Sequence, residues 1–483
     1  MNKNKKYGLL FKNTLIFAIG SLGSKLITFF LVPLYTNVLT KSEYGTADLI
    51  STIANIMVPV CGLVIQDAVL RFGLSKDYNK ASVIKNAFIL FLPGALLCLA
   101  ITPFFGLYPA VSEWGLYIFA ISISTMLYNI VFNYAKAKDM NKLYAFGSIL
   151  STLILAISNI LLLLVFKSGI QGYLISNTLC LLLPSLVLLV ATKSISDSLK
   201  APYSKDLLVE MIKYSAPLIA NNLSWWILSS SDKVMIEFFL SKDDLGLYTA
   251  ASKIPALLSI VTTIFASAWT ISSIKEYDDD GEKDKSFYSN VFKFFSLLMF
   301  SVALAILLVL KPFMSIYVGK EFFESWVFVP FLILGTVFYS FGSFFGAIFG
   351  ALKKNVSCTI TTVIAGIVNI VINLLLIPVI GVFAATLSTA ISYLLIDIIR
   401  MLYSRKFFKF EIDFIKFIIN SAILIVASIL IILEPNFIYL ISGIGLVLIL
   451  IVNLKDYRGL VTFIITILKK RKIQVNGGES DVE

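Results

Sequence analysis

The chain contains no histidine. That absence removes HExxH metal sites, Ser-His-Asp triads and histidine proton relays together. No GxxxxGK[ST] sequence occurs either, because Gly319-Lys320 lacks the upstream glycine, so no P-loop hydrolyses nucleotide. Charge is scarce: 14% of 483 residues against 58% hydrophobic, with mean hydropathy +0.90. Such a chain cannot hide its apolar surface in a water-soluble core. The four cysteines (Cys61, Cys98, Cys180 and Cys358) are scattered through apolar stretches, and no disulfide, metal site or cofactor is expected.

What remains is long hydrophobic runs. Only a helix satisfies its own backbone in hydrocarbon, and about 20 apolar residues cross it. The runs predict an all-α polytopic membrane protein of fourteen transmembrane helices. The first spans 13 to 36, the second 45 to 68, the seventh 213 to 239, the eighth 246 to 273, and the last pair 416 to 433 and 437 to 453. The opening MNKNKKYGLLFKN and the run after it read as a retained first span, since the run is long, carries Lys25 and has no small-residue cleavage site.

The net charge of +11 is unevenly placed. With the N-terminus in the cytoplasm, only Lys41, Lys167, Lys242, Lys311 and Lys320 fall on outer loops and only Lys25, Lys233 and Lys253 within spans. The other Lys and Arg residues are cytoplasmic. This is the positive-inside pattern, with both termini cytoplasmic in the cell (inner) membrane, and it excludes a nucleic-acid partner. The KKRK run at Lys469 to Lys472, after an apolar stretch at Gly459 to Leu468, reads as an interfacial foot on anionic membrane lipid or as the apolar end of the last helix.

A 201-residue shift sets Val38 to Ile53, VLTKSEYGTADLISTI, on Phe239 to Ile254, FLSKDDLGLYTAASKI. Each copy is a short hinge between two spans, which is how transporters built from repeats betray themselves. Two lobes follow: 1–200 and 201–410, each with six helices entering from the same side, hence a parallel repeat. Residues 411–483 add helices 13 and 14 and a basic cytoplasmic tail.

Polar residues inside the spans point to function. Asp48, Ser51, Asn55 and Gln66 share a face of the second span, and Asn221, Asn222, Trp225, Ser229 and Asp232 share a face of the seventh. Lys25 lies about 18 Å along the first helix, near mid-membrane, where a charge costs about 2.5 to 3.5 kcal/mol on insertion scales. Lys25, Lys233 and Lys253, with Asn55, Asn222 and Trp225, are expected to contact an anionic substrate. The structural alternative has Lys233 pairing with Asp232 or snorkelling, and Lys253 snorkelling. Asp48 and Asp232 are the candidate ion-coupling carboxylates, although both read as hydrated groups near the outer mouths. Asp67 and Asp397 are expected to pair with Arg71 and Arg400, one turn on.

The stretches GSLGSKLITFFLVPLYTNVLTKSEYGTADL, SSSDKVMIEFFLSKDDLGLYTAASKI and NIVINLLLIPVIGVFAATLSTAISYLL resemble the polysaccharide-export, or Wzx-type flippase, branch of the multidrug/oligosaccharidyl-lipid/polysaccharide (MOP) exporter superfamily. One departure is Val382-Phe383-Ala384-Ala385, where the family has Gly-Ala-Ala. The resemblance implies two six-helix bundles around a central cavity with a peripheral helix pair. It implies a transporter, not an enzyme, that moves an undecaprenyl-diphosphate-linked oligosaccharide to the outer leaflet for O-antigen or capsule. With no nucleotide site, the drive falls to a Na+ or H+ gradient or to removal of substrate on the far side. The alternatives are a multidrug/cation antiporter and a lipid II flippase of the same superfamily.

Overall fold

The computed structural model describes residues 26–279, 285–351, 355–406 and 413–458. Lys25, the centre of the 275 to 285 loop and the basic tail lie outside the described residues. Among the described residues there are only helices and turns. In chain order they are α1 (Leu26–Val38), α2 (Lys41–Gly62), α3 (Ile65–Leu74), α4 (Lys80–Ile101), α5 (Gly115–Ala137), α6 (Asn141–Asn159), α7 (Gly169–Ala191), α8 (Ser194–Lys200) and α9 (Lys205–Phe239). They continue as α10 (Lys242–Ser252), α11 (Pro255–Asp279), α12 (Lys285–Leu308), α13 (Leu310–Tyr317), α14 (Val329–Ala351), α15 (Asn355–Ile380), α16 (Val382–Arg405), α17 (Phe414–Leu433) and α18 (Ile438–Val452).

By length and composition 11 of these segments cross a membrane, or 12 if α10 and the start of α11 form one span bent by 43°. The expected count of fourteen is not reached on those criteria. α9 is long, 35 residues, but too polar to register as an apolar span, and the described part of α1 is short. Two predicted helices are broken. The second divides at Leu63 and Val64, both at positive φ, directly after Gly62 and one turn past Pro59. The eighth divides just before Pro255, whose missing N–H and fixed φ suit the first position of a new helix.

The two hinges meet. Thr40 caps α2, accepting from the Glu43 N–H at 3.2 Å, while Ser241 caps α10, accepting from the Asp244 N–H at 3.1 Å. The 201-residue offset therefore aligns cap with cap. At this hinge end, which also holds the ends of α1, α9 and α13, the Gly319 N–H donates to Thr36 Oγ1 at 2.9 Å and the Tyr317 hydroxyl to the Phe29 carbonyl at 2.8 Å. The Tyr108 hydroxyl bonds the Glu237 carboxylate there as well. α9 bridges the halves: Leu207 and Met211 pack among Ile65, Ala68 and Val69 of α3, and its later turns lie on α15 and α16. α17 and α18 pack on α12 and are joined by Asn420 and Asn453, whose amides pair at 2.9 Å.

Candidate functional site

Beneath the hinge end the repeat brings its own chemistry together. Asp48 of α2 and Thr249 of α10 are equivalent under the 201-residue shift, and the Thr249 hydroxyl donates to Asp48 Oδ2 at 3.2 Å. Lys233 Nζ, from α9, stands 2.6 Å from Asp48 Oδ2, and Lys253 Nζ, at the α10–α11 break, 3.5 Å from Asp48 Oδ1. All three charged side chains are largely buried, with 9% of Asp48, 17% of Lys233 and 26% of Lys253 exposed. Two ammonium groups thus share one carboxylate. Lys233 pairs with Asp48, not with the adjacent Asp232, and neither Lys233 nor Lys253 stands free. Asp48 is no hydrated group at a mouth.

Asp232, 2% exposed, is likewise not at a hydrated mouth but inside a polar network. It accepts from the Tyr248 hydroxyl at 2.9 Å, the Thr389 hydroxyl at 2.5 Å and the Asn373 amide at 2.6 Å. Asn373, Asn369, Ser388 and Ser231 continue the network through bonds of 2.6 to 3.2 Å. Asn369 and Asn373, four residues apart, share one side of a helix by spacing alone. Which neighbour that side faces is set by packing, and α15 turns it onto Asp232.

The other expected residues separate. Trp225 lines a cavity of about 590 Å³ walled by α9, α11, α14 and α16. Its lining also includes Tyr339, Tyr393 and several serines and threonines. Asn222 donates to its own helix at Leu218 O, 2.9 Å, and Asn55 is exposed; neither is among the cavity's lining residues. Trp226 donates to the Thr52 carbonyl and Trp269 to that of Phe344, so these two indoles serve packing.

The expected pairs Asp67–Arg71 and Asp397–Arg400 do not form among the described residues. Arg400 bonds Thr361, Thr362 and the carbonyls of Gly342 and Cys358 instead. Asp397 is fully buried with neither carboxyl oxygen bonded. A fork as wide as guanidinium finds more acceptors across α14 and α15 than one turn along its own helix.

The family model described as polysaccharide biosynthesis protein matches residues 10–271, over half of the chain. The chain belongs to the polysaccharide biosynthesis protein family. A Haemophilus influenzae protein of the Lsg locus is 22% identical over 340 residues, 68% of this chain and 82% of that relative. Among solved structures, the lipid II flippase MurJ in an inward closed conformation superposes with a TM-score of 0.68 at 16% identity. It covers 92% of this chain and all of its own. An inward-facing multidrug-resistance MATE transporter of the MOP superfamily gives 0.63 at 15% identity, covering 80% and 98%. This family member therefore shares the fold of those MOP-superfamily proteins, and its many long apolar helices make it a multi-pass membrane protein.

Proposed function

We propose that this polysaccharide biosynthesis protein carries an oligosaccharide on undecaprenyl diphosphate from the cytoplasmic to the outer leaflet by alternating access, in an inner membrane with both termini cytoplasmic. One observation carries the reading: the buried cluster that joins the halves holds two ammonium groups against one carboxylate. An excess positive charge buried in a membrane protein calls for a visiting anion, and a lipid diphosphate is one that belongs there. With the loops oriented by the positive-inside pattern, the hinge end is the outer end. Asp48 then holds Lys233 and Lys253 while the outer side is shut, and the diphosphate takes its place as the halves part. Lysine suits this exchange, being a mobile point charge that grips and releases. Lys25 adds to the same path, and Asn55 and Asn222 to the polar faces along it.

The drive is a Na+ or H+ gradient acting at Asp232. Here Tyr248, Thr389 and the Asn373 amide donate to its buried carboxylate, and the side-chain oxygens of Asn369, Asn373, Ser388 and Thr389 beside it are hard ligands that suit a monovalent cation or a proton once those donors turn away. An organic-cation antiporter is the second reading, favoured by the buried Asp232 and the aromatic cavity beside it. The purified protein in liposomes separates them: the lipid-linked glycan crosses in the first case, and tetraphenylphosphonium without the glycan in the second.

A further inference from the structure

The cavity of about 590 Å³ has the size of a small-molecule site, and no charged side chain lines it among the described residues. Much of its polar character comes from hydroxyls whose hydrogens are already committed. Ser229, Ser259, Thr262, Thr263, Thr270 and Thr336 each donate to the carbonyl four residues earlier, at 2.7 to 3.2 Å. What these side chains turn outward is therefore lone pairs, which want donors. The other wall is aromatic: Trp225 and Tyr339 meet edge to face at 6.1 Å, and Tyr339 and Tyr393 lie 5.1 Å apart at 59°. Rings of this kind offer apolar faces with one polar tip.

We propose that this cavity is a subsite for an uncharged, hydroxyl-rich sugar unit, and that it turns away acidic sugars. The proposal rests on the flippase reading above. A pyranose brings O–H donors around an apolar C–H face and so matches both kinds of wall. A carboxylate only accepts; against the hydroxyl wall it meets lone pairs, and with no charged side chain in the lining to pair with it, its lost hydration is not made good. Position agrees with this. Ser229 and Trp225 precede Lys233 by one and two turns of α9, about 6 and 12 Å along the axis. A sugar bonded to a diphosphate held at Lys233 reaches the cavity directly.

The test uses two undecaprenyl-diphosphate disaccharides that differ only in a terminal glucose or glucuronic acid, with the full chain in liposomes for transport and in nanodiscs for binding. The neutral lipid is expected to cross and bind at least about tenfold better. Ser259→Ala with Thr336→Val should shrink that margin at an unchanged melting temperature. Tyr393→Phe, which keeps the ring, should retain most of it. Equal handling of the two lipids, or preference for the acid, overturns the subsite and leaves the flippase reading intact. Charge discrimination in binding without transport of either lipid does the reverse. Displacement of the neutral lipid by tetraphenylphosphonium at lower concentration than by the soluble disaccharide also overturns the subsite, making the cavity a cation site.

Discussion

Gly45 and Gly246, equivalent under the 201-residue repeat, lie against each other's backbone. A Cβ on Gly45 would stand 2.3 Å from the Lys242 carbonyl oxygen, and one on Gly246 would stand 2.2 Å from that of Lys41. Neither oxygen can move away without moving its helix. The two hinges close only because both positions lack a side chain.

Gly45→Ala and Gly246→Ala should each wedge this end open, at about the 1 to 3 kcal/mol typical of overpacking. Spin labels at the exposed Glu113 and Asp243, one in each half, report the separation. The alanine variants should lengthen it, and an unchanged distance distribution would mean that the glycines do not set the closure.

Asp48→Asn leaves two buried ammonium groups without their carboxylate. Removal of one partner of a buried pair costs about 3 to 5 kcal/mol, so a clear drop in melting temperature is expected. Adding Lys233→Gln should recover part of the loss, because the 2.6 Å pair is then absent as a unit. Strict additivity of the two losses would show that Asp48 and Lys233 do not interact.

Asp232→Asn keeps the shape of the side chain and removes its charge. The initial rate of glycan transport should then stop responding to an imposed Na+ or pH gradient, while the lipid still binds. A variant that follows the gradient as the parent does would remove Asp232 from the coupling.

Burial acts to raise the Asp197 carboxyl, but the Lys138 ammonium and the Tyr134 hydroxyl, each 2.8 Å away, outweigh it and hold the group below the ordinary range. A carboxylate depressed on folding adds stability that is complete above its unfolded value, about 3.9. That stability is lost as pH falls through the lower folded value. The link that Asp197 makes from α8 to Tyr134 of α5 and to Lys138 just beyond it should therefore hold at neutral pH and loosen below about pH 4. Amide exchange through Ser194–Lys200, corrected for its intrinsic rate, reads this out. Asp197→Asn should raise it already at pH 7, and equal protection in the variant would contradict the assignment.

The hinges were legible in the sequence because their chemistry is local. Thr40 with Glu43 and Ser241 with Asp244 are capping residues three apart, and the 201-residue shift that revealed the repeat sets one pair on the other. Polar residues in apolar runs likewise marked Asp48, Lys233, Lys253 and Asp232 as important. Their partners were not legible, since each is set by helix packing between distant segments: Asp48 reaches α9, and Asp232 reaches α10, α15 and α16. For the same reason two charges read as lying at hydrated mouths are interior. Pro59 and Gly62 stand beside the break at Leu63 and Val64, and Pro255 marks the other, but both lie inside apolar runs long enough to read as single spans.

The account centres on the lysine pair as the place where a diphosphate is received, and a direct measurement is the translocation rate of a fluorescent undecaprenyl-diphosphate glycan in liposomes for the parent chain and for Lys233→Gln with Lys253→Gln. The parent should move the lipid, and the double variant should be slowed at least about a hundredfold, roughly two lost charge-assisted contacts. Lys233→Arg with Lys253→Arg, which keeps the charge, should remain well above that floor. A double variant that folds and transports at the parental rate would contradict the account.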